Sequence, residues 1–121
     1  SSDLKDRFVA TKGLENCIFL FSQDEWRNIE AKLHSLPMTR ADARSFVRFF
    51  FSGASELELD KQGRTVLPSN LREYAGIDKD IVIIGVGSRA EIWAADKWVE
   101  YNQNNAGHYE QLAESLVDLG I

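Results

Sequence analysis

Hydrophobic and polar positions along this chain change period several times, and each change marks an element. Phe8-Val9-Ala10-Thr11 and Cys17-Ile18-Phe19-Leu20-Phe21 predict two strands around a turn at Lys12-Gly13-Leu14-Glu15-Asn16. Ser22-Gln23-Asp24-Glu25 then has the form of a capping box. It opens a helix whose apolar face is Trp26, Ile29 and Leu33. Pro37 closes that region, and Thr39-Arg40-Ala41-Asp42 predicts a second cap, followed by a helix through Ala43, Phe46, Val47 and Phe50. Ser52-Gly53 breaks it. Pro68 near a start and Gly76 just past an end bracket a short helix. Ile81-Val82-Ile83-Ile84 predicts a buried strand and Ala90-Glu91-Ile92-Trp93 another. Asp96 is expected to cap a short helix through Trp98 and Tyr101. A last amphipathic helix carries Tyr109, Leu112, Leu116 and Val117.

Between these elements lies the stretch richest in candidate chemistry, Glu56 to Pro68. Leu57 and Leu59 alternate with Glu56 and Glu58, predicting a strand, a tight turn at Asp60–Gly63 and a second strand that stops at Pro68. The Asp60 carboxylate can accept backbone N–H groups ahead of it, and Gly63 can take the positive φ that closes the turn. Lys61 and Arg64 then share a rigid hairpin end, able to grip a phosphate or a guanine edge. The bland alternative is a surface hairpin with one solvated arginine.

An internal repeat organises the whole. A shift of 72 residues brings Val9 onto Ile81, Gly13 onto Gly85, Leu20 onto Ile92, Phe21 onto Trp93, Asp24 onto Asp96 and Trp26 onto Trp98. Both halves read strand–turn–strand–helix. The second is preceded by the Asp60–Arg64 hairpin and the Pro68 helix. The first half is therefore expected to lack about one hairpin and most of a short helix, which would lie upstream of Ser1. The expected divisions are residues 1–36, a linking helix at 37–51, a second module at 52–104 and an acidic C-terminal helix at 105–121.

Charge sharpens this picture. Residues 1–90 carry 13 Lys/Arg and 13 Asp/Glu, whereas beyond them Lys97 stands alone against Glu91, Asp96, Glu100, Glu110, Glu114 and Asp118. The net −5 is thus wholly C-terminal, leaving a neutral-to-basic face able to meet a polyanion. At 44% apolar and 27% charged, the composition is that of an ordinary globular domain. No apolar run approaches the roughly 20 residues of a membrane span. One cysteine, Cys17, rules out an internal disulfide; its apolar setting makes it a core residue and not a nucleophile.

Other motifs carry less. Gly85-Val86-Gly87-Ser88-Arg89-Ala90 superficially fits a dinucleotide loop, but strand character resumes at Glu91, where a phosphate site needs a helix N-terminus. It is read as a hairpin turn. His34 and His108 have no neighbours at metal spacing, and no nucleophile-elbow pattern is present. Glu56 and Glu58 share the exposed face of one strand, a solubility device more often than an acid/base pair. No catalytic residue, metal, cofactor or small-molecule substrate is expected. Phe46-Val47-Arg48-Phe49-Phe50-Phe51 suits a core or a subunit contact equally. Arg40, Arg44 and Arg48 form one basic stripe at helical spacing, or simply a solvated face.

In combination, Phe49-Phe50-Phe51-Ser52-Gly53-Ala54, Glu58 to Arg64, Leu71-Arg72-Glu73-Tyr74-Ala75-Gly76, Ile84-Gly85-Val86 and Arg89-x-Glu91-x-Trp93 resemble the MraZ family of transcriptional regulators over essentially the whole chain. The resemblance implies an α+β fold. In it two AbrB/SpoVT-type swapped-hairpin modules form a pseudo-twofold β-barrel with flanking helices, here with the first hairpin missing, and the chains assemble into rings. It implies a cytoplasmic, nucleoid-associated bacterial protein bound to double-stranded promoter DNA. The target is short G-rich direct repeats before the division and cell-wall gene cluster that contains its own gene. The family's D-x-x-x-R signature falls on Asp60 and Arg64, with Lys61 inside it; Asp60 and Gly63 would shape the hairpin while Lys61 and Arg64 approach DNA. Two alternatives remain: a ring-forming interaction scaffold in which DNA is secondary, and an antitoxin. The helical pattern of the C-terminus argues against the antitoxin's disordered tail.

Overall fold

The computed structural model describes residues 6–120. Strand β1 (Asp6–Lys12) turns back into β2 (Ile18–Ser22), which leads directly into helix α1 (Gln23–His34). Helix α2 (Ala41–Ser52), strand β3 (Ser55–Leu59) and helix α3 (Ser69–Ala75) follow. Hairpin β4 (Ile81–Val86) and β5 (Arg89–Ala94) then runs into α4 (Ala95–Asn105) and α5 (Tyr109–Ser115). The five strands form one antiparallel sheet in the order β3-β1-β2-β5-β4.

Period-2 alternation sorts the strands' side chains onto two faces. One face buries Ala10, Ile18, Leu57 and Ile92 against Leu71 and Ala75 of α3. The opposite face buries Cys17, Phe19, Phe21 and Trp93 under α1, α2 and α4, with Phe50 inserted among them. Rings meet there at favourable separations: Trp26 stacks on Phe50 at 5.5 Å between centroids, and Trp93 lies 4.9 Å from Tyr101. Cys17 is fully enclosed, and burial first of all pushes its thiol up to about 12, which keeps it protonated and inert. The buried Thr11 hydroxyl donates to the Phe50 carbonyl, joining β1 to the end of α2.

Local expectations held where the chemistry was self-contained. The Ser22 hydroxyl accepts from the Glu25 N–H and opens α1. Gly76, at φ 64°, ends α3, and Gly87, also at 64°, turns the β4–β5 hairpin. The repeat is visible as two hairpins, β1–β2 and β4–β5, each leading into a helix and meeting through β2 and β5, where Ile18 lies opposite Ile92.

Several expectations are corrected. The sheet is open and not a closed barrel: β3 and β4 occupy opposite edges. Residues 64–67 join no ladder among the described residues, so the expected second strand after the turn does not form. The Ile81–Ile84 strand is not buried. As the outer strand, β4 has one face uncovered, and Ile83 is 60% exposed. The hairpin turns also differ in length, which shifts register. Phe21 pairs with Val9, but its counterpart Trp93 pairs with Val82, so the first strand of each half corresponds at 73 and not 72 residues. Neither Thr39 nor Asp96 caps: Arg40 and Ala94 hold those positions without a side-chain bond. Leu116 and Val117 fall beyond the last α-helical turn. The expected upstream hairpin lies outside the described residues.

Candidate nucleic-acid interface

Edge strand β3 is held by β1, with Arg7 opposite Glu58 and Phe8 opposite Leu57. Arg7 also reaches both strand carboxylates, Glu56 at 3.9 Å and Glu58 at 3.4 Å, and Gln23 donates to Glu56. Those acids therefore serve the sheet surface. The strand stops at Leu59, and Asp60 begins the turn.

Asp60 organises that turn almost alone. Its Oδ1 accepts from the backbone N–H of Gln62 at 2.9 Å and of Arg64 at 2.8 Å. Its main chain donates to the Arg64 carbonyl and accepts from the Gly63 N–H, both at 2.9 Å. Gly63 sits at φ 75°, in the left-handed region where any Cβ would be strained, although space around it is open. The second carboxylate oxygen, Oδ2, accepts from Arg64 Nε at 3.0 Å. That bond fixes the guanidinium plane and uses its inner edge, so the two terminal nitrogens face outward; the side chain is 73% exposed. At such exposure the ion pair adds at most about 1 kcal/mol to stability, so its consequence is orientation. Lys61, exposed inside the same turn, adds a second cation.

Asp60, Lys61, Gly63 and Arg64 thus lie together on one exposed turn at the end of β3. The chain after it borders an open groove of about 450 Å³, between residues 63–67 and the uncovered face of β4 at Ile81 and Ile83. Arg72 and Lys79 line the same groove. Neither stood out in the sequence, because eight and fifteen positions separate them from Arg64 and only the packing of α3 against the sheet brings them near. Arg72 donates to the Asp78 carbonyl at 3.0 Å, closing the loop after α3. Lys79 was not singled out by any spacing.

The other candidates have ordinary settings. Arg40 pairs with Asp42 at 2.6 Å, and Arg44 donates to the Met38 carbonyl at 2.8 Å. Among the described residues, no group of three or more His, Cys, Asp or Glu side chains is arranged to hold a metal. No helix among the described residues is long and apolar enough to cross a membrane.

A family model described as "MraZ protein, putative antitoxin-like" matches the chain twice, over residues 2–49 and 50–119. The chain belongs to the MraZ family. Two successive matches to one MraZ model are what an internal repeat produces. A protein from Syntrophomonas wolfei named transcriptional regulator MraZ is 71% identical, covering 95% of this chain and 80% of its own length. Proteins of the same name from Desulforamulus reducens and Clostridium beijerinckii are each 60% identical. They cover 96% and 98% of this chain and 82% of their own lengths.

Proposed function

We propose that this chain is a DNA-binding transcriptional regulator without catalytic activity, acting through the turn at Asp60–Arg64. The observation that carries the proposal is the bracing of Arg64 by Asp60. A guanidinium held through its inner edge presents a planar, two-donor face, matched to the O6 and N7 acceptors of a guanine in the major groove. Lys61 beside it would meet a phosphate and set the register without reading sequence. The names of the relatives favour regulation, and the resemblance supplies the target: short G-rich direct repeats before the division and cell-wall gene cluster.

In this proposal the protein works in the cytoplasm on the nucleoid. Chains assemble into a ring, each comprising a first module at 1–36, a linking helix at 37–51, a second module at 52–104 and the acidic helix at 105–121. A ring repeats one modest contact, and tandem repeats convert such contacts into avidity. Arg64→Ala is expected to cost about 1–3 kcal/mol per site, the size of one bidentate guanine contact. An electrophoretic mobility shift with repeat-bearing promoter DNA measures it. Retardation equal to that of the unmutated protein overturns the assignment.

A further inference from the structure

The turn that carries Arg64 is closed at its base and has three residues at its tip. Asp60 and Arg64 face each other across the base. The Asp60 N–H donates to the Arg64 carbonyl at 2.9 Å, and the Arg64 N–H to Asp60 Oδ1 at 2.8 Å. Lys61, Gln62 and Gly63 stand between them, with Gly63 in the left-handed conformation, φ 75°, that suits the last place of a three-residue loop. Glycine has no side chain. The groups this turn offers are therefore the Lys61 ammonium, the Gln62 amide and the Arg64 guanidinium, and all three residues are exposed.

Lys61 and Arg64 have places in the contact proposed above, and Gln62 has none. Its backbone N–H is held by Asp60 Oδ1 at 2.9 Å, so the carboxylate that aims Arg64 also fixes the position of Gln62 at the tip. Its side-chain amide bonds to no other described residue and is left for a ligand. The chemistry of the three groups differs. An ammonium and a guanidinium only donate, whereas an amide donates through Nε2 and accepts through Oε1. Among Lys61, Gln62 and Arg64, Gln62 alone carries an acceptor.

An amide matches a base edge that shows an acceptor beside a donor. In the major groove that edge is adenine's, with N7 accepting and the N6 amino group donating. Guanine shows two acceptors there, N7 and O6, so the amide oxygen would meet the lone pairs of O6. We propose that Gln62 is a specificity-determining residue, reading an adenine close to the guanine that Arg64 reads. The two residues are two positions apart, at most about 7 Å between Cα atoms, and base pairs stack about 3.4 Å apart. That spacing places the adenine about one or two steps from the guanine. The inference rests on the role of Arg64 proposed above and extends it from one base to a short sequence.

The test uses full-length protein and duplex DNA carrying the direct repeats, with 7-deazaadenine, which lacks the N7 acceptor, placed at one adenine of every repeat at a time. The unmutated protein is expected to lose about threefold to tenfold in affinity per repeat at one adenine beside the Arg64 guanine, the worth of one hydrogen bond. Gln62→Ala is expected to bind the modified and unmodified duplexes equally. It keeps the N–H that Asp60 holds, so its melting temperature should match the parent's. Gln62→Lys is expected to turn the preference at that step from A·T to G·C, because lysine only donates. The proposal is overturned if no adenine is sensitive in the unmutated protein, if Gln62→Ala keeps the sensitivity, or if Gln62→Lys leaves the preference unchanged. Equal weakening of repeat-bearing and repeat-free DNA in Gln62→Ala also overturns it, since that marks a phosphate contact. Replacing guanines by 7-deazaguanine separates this inference from the one beneath it. Guanine sensitivity that Arg64→Ala abolishes, with no adenine sensitivity, overturns the role of Gln62 alone, whereas indifference to every 7-deazaguanine overturns the reading by Arg64 as well.

Discussion

Asp60 does two jobs with two oxygens. One oxygen shapes the backbone by accepting from Gln62 and Arg64; the other aims the Arg64 side chain. Substitutions separate these jobs. Asp60→Asn keeps an acceptor for the backbone while removing the charge that pairs with Arg64. Asp60→Ala removes both, and is expected to lose about 1 kcal/mol of stability, since the freed N–H groups on an exposed turn regain water. Thermal melting should therefore rank parent, then Asn, then Ala, with DNA affinity falling in the same order. Melting of Asp60→Ala at the parent's temperature would contradict the shaping role. This turn was legible in the sequence because Asp and Gly at fixed offsets settle it locally. Arg72 and Lys79 were not, because their approach to Arg64 depends on where α3 lands on the sheet.

At the scale of the element, α2 resolves an ambiguity that its sequence leaves open. Four phenylalanines in six residues exceed what one helix face can bury, and they divide. Phe50 is 6% exposed inside the aromatic cluster, whereas Phe49 is 64% exposed, with the Lys12 ammonium 5.4 Å from its ring. Phe50→Ala is expected to cost about 3–5 kcal/mol in a urea titration, the usual range for a buried aromatic. Phe49→Ala should stay within about 1 kcal/mol of the parent, because an exposed cation–π contact is worth no more. Equal losses would mean that Phe49 too is enclosed. Strand β4 shows the converse limit. Four consecutive apolar residues looked buried, yet apolar composition cannot tell a central strand from an edge strand. The edge position leaves Ile83 uncovered.

Over the whole molecule, the repeat of 72 residues predicted two equivalent hairpins and helices, and these are present about the β2–β5 pairing. The open sheet was not legible, because closure depends on whether residues 64–67 and the outer edge of β4 find strands to pair with, and no local pattern encodes that. The acidic balance likewise gains meaning only in the fold. The acidic excess gathers along the sequence from β5 to the C-terminus, separate from the Asp60–Arg64 turn after β3, where Lys61 and Arg64 stand beside the groove that Arg72 and Lys79 line. That separation lets a net-acidic protein approach a polyanion with a cationic turn foremost. The most direct test is the salt dependence of affinity for repeat-bearing promoter DNA, measured by fluorescence anisotropy for the parent and for Lys61→Ala. Counterion release predicts a straight fall of log K with log salt, of slope about −0.9 for each phosphate contacted, and a shallower slope by about one contact per bound turn in Lys61→Ala. A flat salt dependence, or identical slopes for the two proteins, would contradict DNA recognition through this turn.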